Sequence, residues 1–89
     1  MTSHSTQSFR DRLAKLPKNI RAQARTAYRR FRTNPHHPGL HFKQVHRTRL
    51  VYSARINDDY RVVGTVQSIE IVWFWIGKHE EYERLLKQL

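Results

Sequence analysis

The segment LVYSARINDDYRVVGTV, residues 50–66, constrains the fold of this chain more than any other, because read as a hairpin its preferred register sets two arginines directly across from each other. Treated as a hairpin with Asn57, Asp58 and Asp59 in the loop, it opposes Ile56 to Tyr60, Ala54 to Val62, Tyr52 to Gly64 and Leu50 to Val66, and all four pairs suit a buried face. A slip of one residue, leaving only Asp58 and Asp59 in the loop, sets Arg61 against Ile56 and scrambles that face. The favoured register has a cost. It places Arg55 opposite Arg61 on the other face, beside Val51, Ser53, Val63 and Thr65, and like charges directly opposed on a sheet repel. Either an anion sits over both guanidinium groups, phosphate being the natural choice, or the side chains splay into solvent or toward acidic neighbours.

Around this hairpin the pattern alternates between helix and strand. Ser8 followed by Asp11 resembles a capping box, and Phe9, Leu13 and Leu16 recur with helical spacing, which predicts a short first helix closed by Pro17. The same proline can open a second helix, whose stripe of Ile20, Ala24, Ala27, Tyr28 and Phe31 is apolar and which Asn34 and Pro35 stop. Residues 34–40, NPHHPGL, form turns, and residues 41–45 are a weakly alternating strand. From Ile69 to Ile76 both faces are apolar: Ile69, Ile71, Trp73 and Trp75 alternate with Val72, Phe74 and Ile76, as expected of a central strand covered on both sides. Gly77 ends it, and residues 80–89 predict a terminal helix carrying Leu85, Leu86 and Leu89. Residues 2–7 allow, without requiring, an edge strand. The expected class is α+β, in a single domain spanning residues 1–89, which at this length buries only roughly 60–65% of the surface of its unfolded chain.

The charge is large and lopsided. Seventeen Lys and Arg against seven Asp and Glu give a formal +10, and residues 1–64 hold 14 of the basic and only 3 of the acidic residues. Solubility alone needs far less; a polyanionic partner, either nucleic acid or an acidic protein segment, fits this excess. Part of it lies on one helix face: Lys18, Arg21, Arg25, Arg29 and Arg32 follow one another at spacings of three and four, with no acidic residue between 18 and 33 to pair with them. That face either meets phosphates or an acidic partner, or is an ordinary solvated surface. Cysteine is absent, so neither disulfides nor thiolate zinc sites support the fold. The longest apolar run, residues 71–76, is too short to span a bilayer and the first residues lack a signal-peptide core, so a soluble cytoplasmic protein is expected.

Neither a serine or cysteine nucleophile motif nor a glycine-rich phosphate loop occurs. His36, His37 and His41 cluster in or beside a loop without a nearby carboxylate or thiolate, a poor metal signature, and read as ordinary loop imidazoles. His79, just past the aromatic strand, and Tyr82 three residues on share a helix face. They serve either structure, with His79 capping the helix and Tyr82 packing on Trp75, or chemistry. Trp75 itself reads as core rather than a base-stacking surface. A cationic face with a histidine and a tyrosine suffices for RNA cleavage by 2′-OH attack on the adjacent phosphate. In that reading Arg55 and Arg61 bind the phosphate and stabilise its developing charge, His79 protonates the leaving 5′-oxygen, and Tyr82 orients the phosphate or stacks on a base.

Two helices, the hairpin YSARINDDYRVV, an aromatic strand and IGKHEEYERLL together resemble the RelE/ParE superfamily of toxins from bacterial type II toxin–antitoxin systems, over nearly the whole chain from Phe9. The resemblance implies a β-α-α-β-β-β(-α) fold with a curved, mainly antiparallel sheet. It also implies, for RelE-like members, metal-independent and cofactor-free cleavage of mRNA in the ribosomal A site. Arg61 matches the arginine these nucleases keep after the hairpin turn, His79 a catalytic arginine or histidine near the end of the last strand, Tyr82 their nearby tyrosine, and Arg55 an Arg-Ile-turn pattern of related toxins. The lysine pair some members carry on the first hairpin strand has no equivalent, since Tyr52 and Ala54 stand there, which leaves Lys43 and His46 as candidate general bases. The partners implied are a cognate acidic antitoxin, mRNA and the ribosome, on whose RNA the 18–32 stripe docks, and operator DNA only as the toxin–antitoxin complex, with no membrane. The alternatives are a ParE-like gyrase inhibitor without chemistry of its own and a degenerate, non-toxic member.

Overall fold

The computed structural model describes all of residues 1–89. The elements run β1 (Thr2–Ser5), α1 (Gln7–Ala14), α2 (Lys18–Thr33), a 3₁₀ turn (Pro38–Leu40), β2 (Lys43–Gln44), β3 (Val51–Arg55), β4 (Tyr60–Gln67), β5 (Glu70–Lys78) and α3 (His79–Gln88). Five strands form one sheet in the order β1-β5-β4-β3-β2, antiparallel throughout except that β1 runs parallel to β5. The α+β class is as expected. The edge strand the sequence left open over residues 2–7 forms at Thr2–Ser5, with Thr6 and Gln7 passing to α1.

The hairpin adopts the expected register: Arg55 pairs with Arg61, Ala54 with Val62 and Tyr52 with Gly64, and Ile56 N–H bonds the Tyr60 carbonyl at 3.1 Å. On one face α2 lays Phe31 against Leu40, Ala54, Ile71 and Trp73, with Phe42 edge-on to Phe31 at 4.9 Å and stacked on Tyr52 at 4.9 Å. On the other, α3 covers Val51 and Val63 with Tyr82, Leu85, Leu86 and Leu89. The arginine-bearing face is therefore not open along its length. Val51, Ser53 and Val63 are buried beneath α3, and only its loop end, where the arginines stand, remains accessible.

Three local expectations change. The cap of α1 is Thr6, whose hydroxyl accepts from Phe9 N–H at 3.1 Å, rather than Ser8; Asp11 instead accepts from Gln7 at 2.8 Å. The helix starts early because Thr6 is held extended at the end of β1, its own N–H bonded to the Trp73 carbonyl. The strand expected over residues 41–45 shrinks to Lys43–Gln44, because the 3₁₀ turn and a left-handed His41 (φ 44°) precede it.

The aromatic strand is β5, second from the edge rather than central, and Ile69 is 72% exposed in the preceding turn, where Ser68 takes φ 57°. Strict alternation also fails within it. Val63 pairs with Trp75 but Gly64 with Trp73, so Phe74 is an extra residue, a β-bulge. Beyond the bulge the faces exchange. Trp73 stays buried with Phe31, while Trp75 turns to the α3 side beside Phe74 and is only partly buried there, with the Arg12 guanidinium 4.9 Å over its ring. Glycine at 64 makes room for this crossing, since a Cβ there would lie 2.8 Å from both the Trp73 ring and the Val72 carbonyl.

Candidate functional site

The ends of β3, β4 and β5, the start of α3 and the segment entering β2 enclose a polar cleft of about 380 Å³. Arg55 is the last residue of β3 and Arg61 the second of β4, so the hairpin register itself sets them side by side. Their repulsion is relieved from within the chain. Arg55 ion-pairs with the exposed Asp58 carboxylate in the loop, while Arg61 Nη1 donates to the carbonyls of Asn57 (2.6 Å), Tyr60 (3.0 Å) and Asp58 (3.4 Å). Arg55, through its hydrogen bond and then its charge, with a smaller contribution from Arg61, holds the Asp58 carboxyl below its ordinary value of 3.8. The acidic-neighbour alternative thus describes Arg55 in the free protein.

The loop is itself braced. Asn57 Oδ1 accepts from the N–H groups of Asp59 and Tyr60 at 2.8 and 2.9 Å, and the Asp59 carbonyl accepts from His79 N–H at 2.7 Å, fixing the start of α3 to the hairpin. His79 lines the cleft, with Nε2 3.4 Å from Glu83 Oε1 one helical turn on. Lys43, exposed on β2, and His41 line the cleft from the other edge of the sheet.

Tyr82 takes a different place from the one the resemblance implies. It is only 5% exposed, and its hydroxyl hydrogen-bonds the Ser53 hydroxyl at 2.9 Å, both groups lying beneath α3. A ring so enclosed has no free face for a base; Tyr82 forms the floor of the cleft and orients α3 on the sheet. His46 is not on the cleft at all. Its Nδ1 accepts from Thr48 and Arg49 N–H at 3.2 and 3.0 Å, so the proton is on Nε2, which donates to the Leu89 oxygen at 3.1 Å. With both ring nitrogens engaged, His46 is a tie between the 46–49 turn and the end of α3 and drops out as a general base.

The α2 stripe also divides. Lys18, Arg25, Arg29 and Arg32 are exposed and none forms an ion pair, but Arg21 is partly buried and donates to the carbonyls of Leu16 (2.9 Å) and Ala14 (3.4 Å), closing the end of α1. Because α2 packs on the sheet face opposite α3, the stripe is a separate basic surface. Beneath α2 a second, apolar hollow of about 280 Å³ lies between Phe9, Leu13, Tyr28 and the sheet; it carries little ionisable chemistry. No three His, Asp or Glu side chains converge as a metal site, and no helix is long and apolar enough to cross a membrane.

Two cleft residues were missed from sequence. His41 looked like a loop imidazole because nothing local announces that a left-handed residue will direct it into the cleft, and Glu83 gave only its i, i+4 spacing from His79.

A family model for the ParE-like toxin domain matches residues 18–84. The chain belongs to this family. No curated protein sequence matches it, but solved structures do. The toxin–antitoxin complex RelB–RelE from Methanococcus jannaschii aligns with TM-score 0.74 at 16% identity over 92% of this chain and 96% of that one. The YoeB/ParE toxin from Agrobacterium tumefaciens gives 0.69 at 15% over 89% and 99%, and the RelE–RelB complex from Pyrococcus horikoshii 0.69 at 18% over 86% and 92%. The chain thus carries a ParE-like toxin domain and shares the fold of these RelE and YoeB structures.

Proposed function

We propose that this toxin is a ribosome-dependent mRNA endonuclease that stops translation, cutting by 2′-OH attack on the adjacent phosphate. The observation that carries the reading is the meeting of Arg55, Arg61, Lys43 and His79 in one polar cleft. Three cations can bind a phosphodiester and stabilise the dianionic charge that builds on it, and an imidazole can protonate the departing 5′-oxygen. A 2′-OH nucleophile selects RNA over DNA. The exposed residues of the α2 stripe, on the far side of the sheet, give a second contact to ribosomal RNA. The chain's partner in the cell is an acidic antitoxin, its setting the cytoplasm, and operator DNA is bound by the pair rather than by the toxin alone.

The family model's ParE-like character favours one other reading, a gyrase inhibitor that binds without chemistry. Expression in a bacterium lacking the antitoxin separates the two. The nuclease reading expects growth arrest with new 5′-hydroxyl ends in translated messages, abolished by His79→Ala. Arrest with intact messages, a DNA-damage response and an indifferent His79→Ala variant would overturn it in favour of the gyrase inhibitor. A harmless protein would exclude both.

A further inference from the structure

We propose that His41 is the general base of the cleavage reaction, facing His79 as its acid; the proposal rests on the nuclease reading. The other histidines lie away from the cleft. His4 pairs with Glu70, His37 caps the 3₁₀ turn, His46 ties the 46–49 turn to α3, and His36 lies against Phe42. Of the histidines only His41 and His79 line the cleft, and the one hydrogen bond His41 makes is from its backbone N–H to the Pro38 carbonyl, which leaves its ring free. Its place is set by its neighbours. Leu40 is 2% exposed and Phe42 packs on the same core, so both flanking residues are anchored, and the left-handed backbone at His41 (φ 44°, ψ 43°) turns the residue between them toward the cleft. Left-handed geometry is uncommon outside glycine.

The strand order supplies the geometry that in-line displacement requires, with base and acid on opposite sides of phosphorus. His41 enters from the β2 edge and His79 from the end of β5, while Arg55 on β3 and Arg61 on β4 lie between them. Three strand spacings amount to roughly 14 Å between backbones, and two imidazoles reaching inward bracket one phosphodiester. Glu83, the one carboxylate on the cleft, is engaged with His79, and Lys43 stands as a third cation for the phosphate. His41 accepts the 2′-OH proton as the O2′–P bond forms. The P–O5′ bond breaks, O5′ takes the proton of the His79 imidazolium, and the products are a 2′,3′-cyclic phosphate and a 5′-hydroxyl. Solvent then exchanges the protons of the two imidazoles.

The test uses the full chain on ribosomes programmed with two messages, one ordinary and one carrying sulfur in place of the 5′-bridging oxygen at the cut site, since a thiolate leaves without a proton. The base variants are His41→Asn and His41→Gly, both compatible with a left-handed backbone. The expected result is that each slows both messages about 10²- to 10⁴-fold, that added imidazole restores His41→Gly, and that His79→Ala slows only the ordinary message. His41→Asn cutting at the unaltered rate, or sulfur restoring it, overturns the assignment, as does a His41→Gly variant that circular dichroism shows folded and that imidazole leaves inactive. If the unaltered chain leaves both messages intact, the nuclease reading itself fails and the base assignment falls with it.

Discussion

Replacing Tyr82 by phenylalanine separates a tyrosine that holds the fold from one that handles RNA. The hydroxyl is buried and bonded to Ser53, which is itself only 2% exposed, so Tyr82→Phe both deletes a hydrogen bond and strands the Ser53 hydroxyl without a partner. A typical net hydrogen bond contributes about 1 kcal/mol, and an orphaned buried partner raises the loss to about 1–3 kcal/mol. At this chain length each kcal/mol moves Tm by roughly 4–8 °C, so Tyr82→Phe lowers Tm by about 4–24 °C. Ser53→Ala acts similarly, and the two are coupled. The double variant loses less than the sum of the singles, by about 1 kcal/mol, because removing both partners leaves nothing unsatisfied. Tyr82→Ala adds an aromatic-sized cavity under α3 and costs a further few kcal/mol. Thermal unfolding followed by circular dichroism gives the four stabilities, and cutting of a programmed message, measured well below each variant's Tm, gives the activities. Cutting by Tyr82→Phe stays within a few-fold of the unaltered chain, a change far short of the roughly 10²-fold cost of losing an acid–base group. A Tyr82→Phe variant as stable as the parent but crippled in cutting would refute the structural role and restore the tyrosine to the substrate.

Four further outcomes follow from the cleft and its surroundings. Asp58→Asn frees the Arg55 guanidinium from its internal carboxylate and tightens binding of a non-cleavable, 2′-deoxy RNA; weakened binding would mean that Asp58 organises the site rather than competing for it. Because the folded carboxyl lies below 3.8, this ion pair stabilises the fold above that pH and its contribution is lost as pH falls through the depressed value; Asp58→Asn should flatten that part of the acid-unfolding curve, only slightly, since the group is 92% exposed. For the isolated toxin on short single-stranded RNA, contacts from Arg55, Arg61 and Lys43 give a slope of about −2 in log K against log salt, which Lys43→Ala makes shallower by about 0.7. His46→Ala, which removes one hydrogen bond to the end of α3 and two within the 46–49 turn, lowers Tm while leaving cutting by the folded protein unchanged; a large loss of cutting in a stable variant would return His46 to the catalytic candidates.

Much of this protein is legible in local pattern, and the reason is geometric. Strand alternation, the poor fit of the one-residue slip and the Asn57 loop determine the hairpin, and the hairpin alone juxtaposes Arg55 and Arg61. Helical spacing and Pro17 determine α1 and α2, and a +10 charge with no cysteine points to a polyanionic partner without metal thiolates. What escapes local pattern is whatever depends on contacts between distant segments. The bulge at Phe74 arises because two tryptophans and a glycine must share the β4–β5 interface, and it alone sends Trp75 to the opposite face from Trp73. His46 and Tyr82 carry the residue types of catalysis, yet the Leu89 oxygen and the Ser53 hydroxyl, 43 and 29 positions away, turn them into supports. His41 carried no local signal, and only packing of Leu40 and Phe42 into the core aims it at the cleft. Residue chemistry and period are properties of the chain, whereas which side chains meet is decided by the burial of apolar surface across the whole sheet.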